Sequence, residues 1–336
     1  MTTIKDVAKA ARVSTATVSA VLNGTAYVSP TLKARVEAAI ATLDYAPSQA
    51  ARSLKRGASG LVALVVADLA SPFYARIVCA AEAAVGARDR SLVVFNSDET
   101  PENERRILDR VARLSCDGLI FVPADDPKRY ARSGLAKGRP VVLFGRSVEG
   151  LSLDTVTLDN RQAAADVTNY LADLGHVRIG AITGPDHLST GRARRTGMME
   201  ALAARGLSLR PEHLRSGEFR EEVAYAQARD MLARADRPTG LYVANGVMAL
   251  GVLRALADLG LRCPADVSIA STDTIPGSRV FRPRLTRTEH PATDMVNEAV
   301  RLLIDRIHRR TNEEPRHVVF QPTLVLGDSC GPPPGP

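Results

Sequence analysis

Residues 3–24 read Thr3-Ile4-Lys5-Asp6-Val7-Ala8-Lys9-Ala10-Ala11-Arg12-Val13-Ser14-Thr15-Ala16-Thr17-Val18-Ser19-Ala20-Val21-Leu22-Asn23-Gly24, two short helical patterns separated by a tight turn. Ile4, Val7, Ala8 and Ala11 fall at i, i+3, i+4 and i+7, which gathers them on one face of a helix. Ser14 stands where an N-cap is needed, its hydroxyl able to accept from an N–H that the first turn leaves unbonded. Val18, Val21 and Leu22 form the buried stripe of the second helix, leaving Thr15, Ala16, Thr17, Ser19 and Ala20 outside. Asn23-Gly24 ends it. A third helix follows Ser29-Pro30, with proline in the first helical position and Val36, Ile40 and Leu43 facing inward. Two helices joined by a tight turn and braced by a third make the minimal helix-turn-helix, whose second helix enters a DNA major groove. A plain three-helix bundle has the same periodicity.

Charge favours the first reading. Lys5, Lys9, Arg12, Lys33, Arg35, Arg52, Lys55 and Arg56 oppose only Asp6, Glu37 and Asp44, so residues 1–57 carry a net +5 of the chain's +7. Such a concentration suits contact with phosphate. Beyond the head, Pro47 and Ser48 open a short helical pattern, Gln49-Ala50-Ala51-Arg52-Ser53-Leu54-Lys55, that Gly57 closes. So short a helix does not hold alone in water. Residues 47–57 are therefore either a flexible linker or a helix that needs a partner.

The rest of the 336 residues is long enough for about two domains of usual size. Hydrophobic content of 45% with 24% charged residues belongs to a globular chain able to bury substantial cores. No apolar run approaches the length of a bilayer span, and Met1-Thr2-Thr3-Ile4-Lys5 enters a folded motif directly, so we expect a cytoplasmic protein with no membrane partner. Cys79, Cys116, Cys263 and Cys330 are scattered without a Cys-x-x-Cys pair, which argues against a disulfide frame or a metal site. Gly-x-Ser-x-Gly, Gly-x-Gly-x-x-Gly and the P-loop pattern are all absent; neither an enzyme nor a cofactor is expected.

From Leu61 onward, apolar runs alternate with amphipathic helical patterns. The runs are 61–67, 92–96, 118–122, 141–144, 179–183, 241–244 and 267–271, several of them apolar on both faces as strands of a helix-covered parallel sheet must be. A doubly wound α/β trunk follows, with a break near residue 160 that starts a second lobe. In such sheets ligands bind beyond the carboxyl ends of strands. Those positions hold Asp68, Ser71, Phe73 and Tyr74 after the first run, residues 184–194 after the fifth, and Asn245 and Asp273 after the last two. Any one of these could be core or a helix cap; at several strand ends together they favour a pocket. Arg192, Arg194 and Arg195 crowd one helix start, which raises the expectation of an acidic or phosphorylated ligand.

Thr3-Ile4-Lys5-Asp6-Val7-Ala8, Val13 to Ser19 and Val21-Leu22-Asn23 closely resemble the amino-terminal signature of the LacI/GalR family of bacterial transcription regulators, and the resemblance extends over nearly the whole chain. It implies an all-α helix-turn-helix head (1–46), a hinge helix (47–57) and a two-lobed, periplasmic-binding-protein-like α/β domain (58–336) with parallel doubly wound sheets. Lobe 1 would comprise about 58–160 and 291–320, and lobe 2 about 161–290 and 321–330, with crossings near 160, 290 and 321. We read the triple-proline tail, 331–336, as disordered. By the same resemblance Thr15, Ala16, Thr17 and Ala20 face the major groove, and Ala51, Leu54 and Lys55 act at the minor groove, with Leu54 as the wedge between base pairs. Phe73, Tyr74, Asp159, Leu188, Thr190, Arg194, Phe219, Asn245 and Asp273 match effector-binding positions. The expected protein is a ligand-controlled repressor, a homodimer on double-stranded palindromic operator DNA, with a sugar or sugar derivative as effector. A regulator that ignores ligands and a sugar-binding protein without a regulatory role are the alternatives. Two departures stand out. Gly246 replaces a common carboxylate and is expected to loosen its turn, and Thr15, Ala16 and Ala20 are small where many relatives carry long polar side chains, which shifts specificity toward DNA shape.

Overall fold

The computed structural model describes residues 2–24, 26–45, 58–124, 130, 135, 139–275, 282–309 and 314–335. Residues 47–57, with Ala51, Leu54 and Lys55, lie outside the described residues. The chain divides into two compact units, Met1–Ser59 and Gly60–Pro336.

The first unit carries α1 (Ile4–Ala11), α2 (Thr15–Asn23) and α3 (Pro30–Thr42). Thr3 and Asp6 form a reciprocal capping box at the start of α1, and the Ser14 hydroxyl accepts from Thr17 N–H at 3.1 Å at the start of α2. Gly24 ends α2 in the left-handed region, and Pro30 opens α3. The small core joins Val7, Ala8, Ala11, Val18, Val36 and Ala39, with Ile4, Val21, Leu22, Ile40 and Leu43 half-buried around it.

The second unit is built on two six-stranded sheets. The first runs β11-β5-β4-β3-β1-β2, from β1 (Leu61–Val66), β2 (Ser91–Asn96), β3 (Gly118–Phe121), β4 (Val141–Phe144), β5 (Asp154–Leu158) and β11 (His317–Phe320), all neighbours parallel. The second runs β12-β10-β9-β8-β6-β7, from β6 (Ile179–Thr183), β7 (Leu214–Ser216), β8 (Gly240–Val243), β9 (Ser268–Thr272), β10 (Thr286–Glu289) and β12 (Thr323–Val325), with only β12 antiparallel to its neighbour. Strand β1 shows why both faces are apolar. Val62, Leu64 and Val66 pack under α4 (Pro72–Gly86) and α10 (Ala292–Arg309), whereas Ala63 and Val65 meet α5 (Pro101–Arg113) on the other side.

The chain leaves the first sheet after β5 into α6 (Asn160–Asp173), whose Ala164, Val167 and Leu171 join the core of the second sheet. It returns after β10 into α10, and passes across again between β11 and β12. Buried Asp154 on β5 ties these segments: Arg306 of α10 donates to both carboxylate oxygens at 2.9 and 2.8 Å, and the Arg316 backbone N–H donates at 2.8 Å. The start of the tail differs from its sequence-based reading. Gly331 exchanges hydrogen bonds with Ser268 at 3.0 and 3.1 Å, and its carbonyl lies 2.9 Å from His176 Nε2, so the tail is held at its first residue. Backbone polar groups satisfied by the second lobe outweigh the proline content.

Burial works against ionising the Asp154 carboxyl, but the Arg306 and Arg316 contacts more than offset it and hold its pKa below the ordinary value. Because the folded pKa is depressed, the stabilisation is present at neutral pH and is lost as pH falls from the ordinary carboxylate range through the folded value. Asp154→Asn is expected to lower stability at pH 7 by about 3–5 kcal/mol and to flatten its acid dependence, as read from urea midpoints at successive pH values.

Candidate effector cleft and DNA-reading helix

Between the carboxyl ends of the two sheets lies an open cavity of about 760 Å³, counting the space at its mouth that is continuous with solvent. Nearly every side chain that lines it stands just after a strand: Phe73 and Tyr74 after β1, Glu99 after β2, Arg146 after β4, Asn245 after β8 and Asp273 after β9. Thr190 and Arg194 come from the first turns of α7 (Ser189–Ala204), which follows β6.

The apolar wall is Phe73 edge-on to Tyr74 at 5.1 Å and to His290 at 5.4 Å between ring centroids. Burial pushes the Tyr74 phenol up to about 12, so it stays a neutral donor. On the opposite side the Arg194 guanidinium lies 5.9 Å over the Phe219 ring. Its Nε donates to Asn160 Oδ1 at 2.8 Å and its Nη1 to the Ala244 carbonyl. Burial pulls the Arg194 pKa down, because no carboxylate within hydrogen-bond distance offsets the lost hydration. Asp273 sits in the left-handed region with φ 75°, accepts from Thr274 N–H at 2.7 Å, and has its nearest cation, Arg76 Nη2, at 3.7 Å. Burial raises its carboxyl pKa. Asn245 spends its carbonyl oxygen on Met248 N–H as the cap of α9 (Gly246–Asp258), which leaves its amide N–H groups for the cavity.

Two sequence-predicted positions lie elsewhere. The Asp159 carboxylate caps α6 by accepting from Gln162 N–H at 2.9 Å, and its neighbour Asn160 lines the cavity instead. Leu188, buried at the start of α7, lines a smaller neighbouring cavity with Ser147 and Arg192. The arginine crowd also disperses. Arg192 donates to the Asp186 and His187 carbonyls, Arg195 pairs with the Asp186 carboxylate, and only Arg194 enters the large cavity. The expectation of an anionic ligand loses its basis.

Three functional features escaped the sequence reading. Arg146 is clamped bidentately by Glu99, with Nη1 to Oε2 at 2.8 Å, and also donates to the Pro123 carbonyl at 2.9 Å. Burial alone would lower the Arg146 pKa; the Glu99 carboxylate reverses that and holds it above its ordinary value. Both residues closely follow apolar runs, so the strand-end rule could have found them. His290 follows the polar strand β10, which no apolar run announces. Burial first, and then Arg194 and Arg76, push its imidazole down to about 3, so it is neutral at ordinary pH. Its Nε2 and the Thr190 hydroxyl are buried at the cavity with no partner among the described residues. Third, the rims touch: Arg220 Nη2 donates to the Asp98 carbonyl at 2.9 Å, and Ser147 N–H to the Ser189 hydroxyl at 3.1 Å.

Gly246 tightens its turn instead of loosening it. A Cβ there would come within 1.9 Å of the Thr274 carbonyl oxygen, so only glycine admits the loop that carries Asp273. In the head, Thr15 and Ala16 are exposed and Thr17 and Ala20 half-buried on α2, a face of short side chains. Gly246→Ala is expected to displace residues 273–275 at a cost of at least about 1–3 kcal/mol, measured by urea unfolding, with faster amide exchange at Thr274 and Ile275.

The helix-turn-helix segment, residues 3–48, matches the model of bacterial regulatory proteins of the lacI family, and residues 168–330 match a periplasmic binding protein-like domain. The chain is 34% identical over 328 residues to the HTH-type transcriptional repressor PurR of Pectobacterium carotovorum, an alignment covering 97% of this chain and 96% of that one. Among solved structures, it resembles the lac repressor dimer bound to operator and the anti-inducer ONPF, with TM-score 0.87, 25% identity and 98% of each chain covered. It also resembles the transcriptional regulator CelR in complex with cellobiose, with TM-score 0.74, 30% identity, and 98% of this chain and 100% of that one covered. Head, trunk and overall sequence agree, and the chain belongs to the LacI family of bacterial transcription regulators.

Proposed function

We propose that the protein is a cytoplasmic, non-catalytic repressor whose operator affinity is set by a small, uncharged polar effector, a sugar or sugar derivative, held between the two sheets. The observation that carries this reading is the charge balance of the cavity. Among the described residues, Arg146, Arg194 and Arg220 face Asp68, Glu99 and Asp273, so their charges balance and call for no ionic ligand. An apolar face of a ring compound would lie against Phe73 and Phe219, while Arg194, Asn245 and Asp273 grip hydroxyl groups at its edge. The related CelR, whose solved structure is a complex with cellobiose, supports a neutral sugar. The contacts of Arg220 with Asp98 and of Ser147 with Ser189 would strengthen as the cleft closes and give way as it opens. A difference of a few kcal/mol between those states is enough to change operator occupancy by orders of magnitude. The effector acts in a homodimer on a palindromic operator, with Thr15, Ala16, Thr17 and Ala20 of α2 in the major groove and Leu54 of the hinge as the minor-groove wedge.

Operator affinity measured on selected DNA with sugars, sugar phosphates, sugar acids and nucleobases tests this reading. A neutral sugar is expected to shift the affinity; a shift confined to phosphates or acids would refute it, and no shift with any compound would favour a ligand-independent regulator. With the active compound, Arg194→Gln is expected to weaken the response about tenfold or more while operator binding without effector stays unchanged. Ala20→Arg is expected to change the sequence recovered by in vitro selection, and recovery of the same site by both proteins would remove α2 from the reading role.

A further inference from the structure

We propose that Arg35 is a positioning residue for DNA reading, one that holds the turn of the helix-turn-helix in place, and that it is not a phosphate contact. The inference rests on α2 being the helix that reads the groove. Arg35 counts among the cations that make the head basic, and its side chain is exposed, yet its Nη2 is engaged within the protein. Helix α1 ends at Ala11, and Arg12 takes the left-handed conformation, φ 50°, which a side chain with a Cβ adopts at a cost. The Arg12 and Val13 N–H groups turn back to Lys9 and Ala8. By Ser14 the next helix is already being capped. This leaves a turn with no slack, whose last carbonyls, Ala11 O and Arg12 O, lie beyond the reach of any donor in α1. A single nitrogen, Arg35 Nη2, donates to both, at 3.3 Å to Arg12 O. Arg35 is anchored in α3 beside Val36, which is fully buried in the head core. Lys33, two residues earlier, contrasts with it: among the described residues its ammonium pairs with Glu37 at 3.9 Å and with no backbone carbonyl of the turn.

The small reading face makes this fastening matter. Thr15, Ala16 and Ala20 can touch a base edge only if the backbone of α2 approaches closely. A gap of about 0.5–1 Å already forfeits a quarter to a half of a dispersion contact. A long polar side chain could span such an error, whereas a methyl group cannot. The planar guanidinium aims the two N–H bonds of Nη2 in fixed directions, one toward each carbonyl, whereas an ammonium rotates freely on its stem.

The test uses the full chain, a duplex selected in vitro with the wild-type protein, a scrambled duplex of equal length and composition, and a salt series. Arg35→Gln is expected to reduce the preference for the selected over the scrambled duplex by about tenfold or more, the scale of a mismatched base pair. The slope of log affinity against log salt on the scrambled duplex stays unchanged, and Arg35→Lys recovers part of the preference. A lost phosphate contact would instead make the slope shallower by about 0.9 with the preference kept, and would overturn the proposal. An unchanged preference would overturn it as well. Amide exchange at Val18 and Val36 separates positioning from bracing: protection retained in Arg35→Gln is expected, and its loss would mark Arg35 as merely structural. Should the wild-type protein show no preference, the reading role of α2 fails, and the salt slope still decides whether Arg35 meets phosphate.

Discussion

The reversal of strand order in each sheet is the constraint on which the trunk depends. β1 lies between β2 and β3, and the helices that follow β1 and β2 cover opposite faces, so their connections part above the carboxyl end of β1. The second sheet repeats the order with β6 between β7 and β8. A crevice forms at each reversal because no crossing connection fills it. The cavity lies where strand ends of both sheets meet, which is why residues as distant in sequence as Phe73 and Asp273 share it.

Burial then selects which charges close on each other and which stay available. Arg146 and Glu99 satisfy one another through two hydrogen bonds and leave little for a ligand. Arg194 is held by neutral oxygens, and Asp273 by one backbone N–H and a more distant arginine. Desolvation makes both less favourable as ions, which is the condition under which hydroxyl groups of a ligand gain most by bonding them. His290 and Thr190 add buried polar atoms without partners among the described residues, and the cleft gains further from a ligand that satisfies them.

The head follows a different economy. Its core is small, and its helix boundaries are fixed locally by the capping box of Thr3 and Asp6, the Ser14 cap and Gly24 as terminator, and from across the head by Arg35 Nη2. On the proposed reading role of α2, short side chains shift the burden of recognition from reach to placement, so the bonds that fix its position bear on how DNA is read.

Local chemistry let the sequence alone determine the head and the central strands. Helical periodicity, Ser14, Gly24 and Pro30 are local signals, and the apolar runs at β1, β3, β4, β6, β8 and β9 reflect burial on both faces. Phe73, Tyr74, Arg194, Asn245 and Asp273 were legible because each lies close behind such a run. The strands β5, β7, β10, β11 and β12 were not read as runs, because they are short and mostly polar or half-buried and owe their conformation to neighbouring strands. Tertiary structure alone decided that Asp159 caps a helix, that two of three clustered arginines turn away, that His290 enters the cleft, and that Gly246 is forced by a backbone 28 residues away. Periodicity reports which face of an element is buried; it carries no information about which distant partner buries it, and a side chain's role is set by that partner.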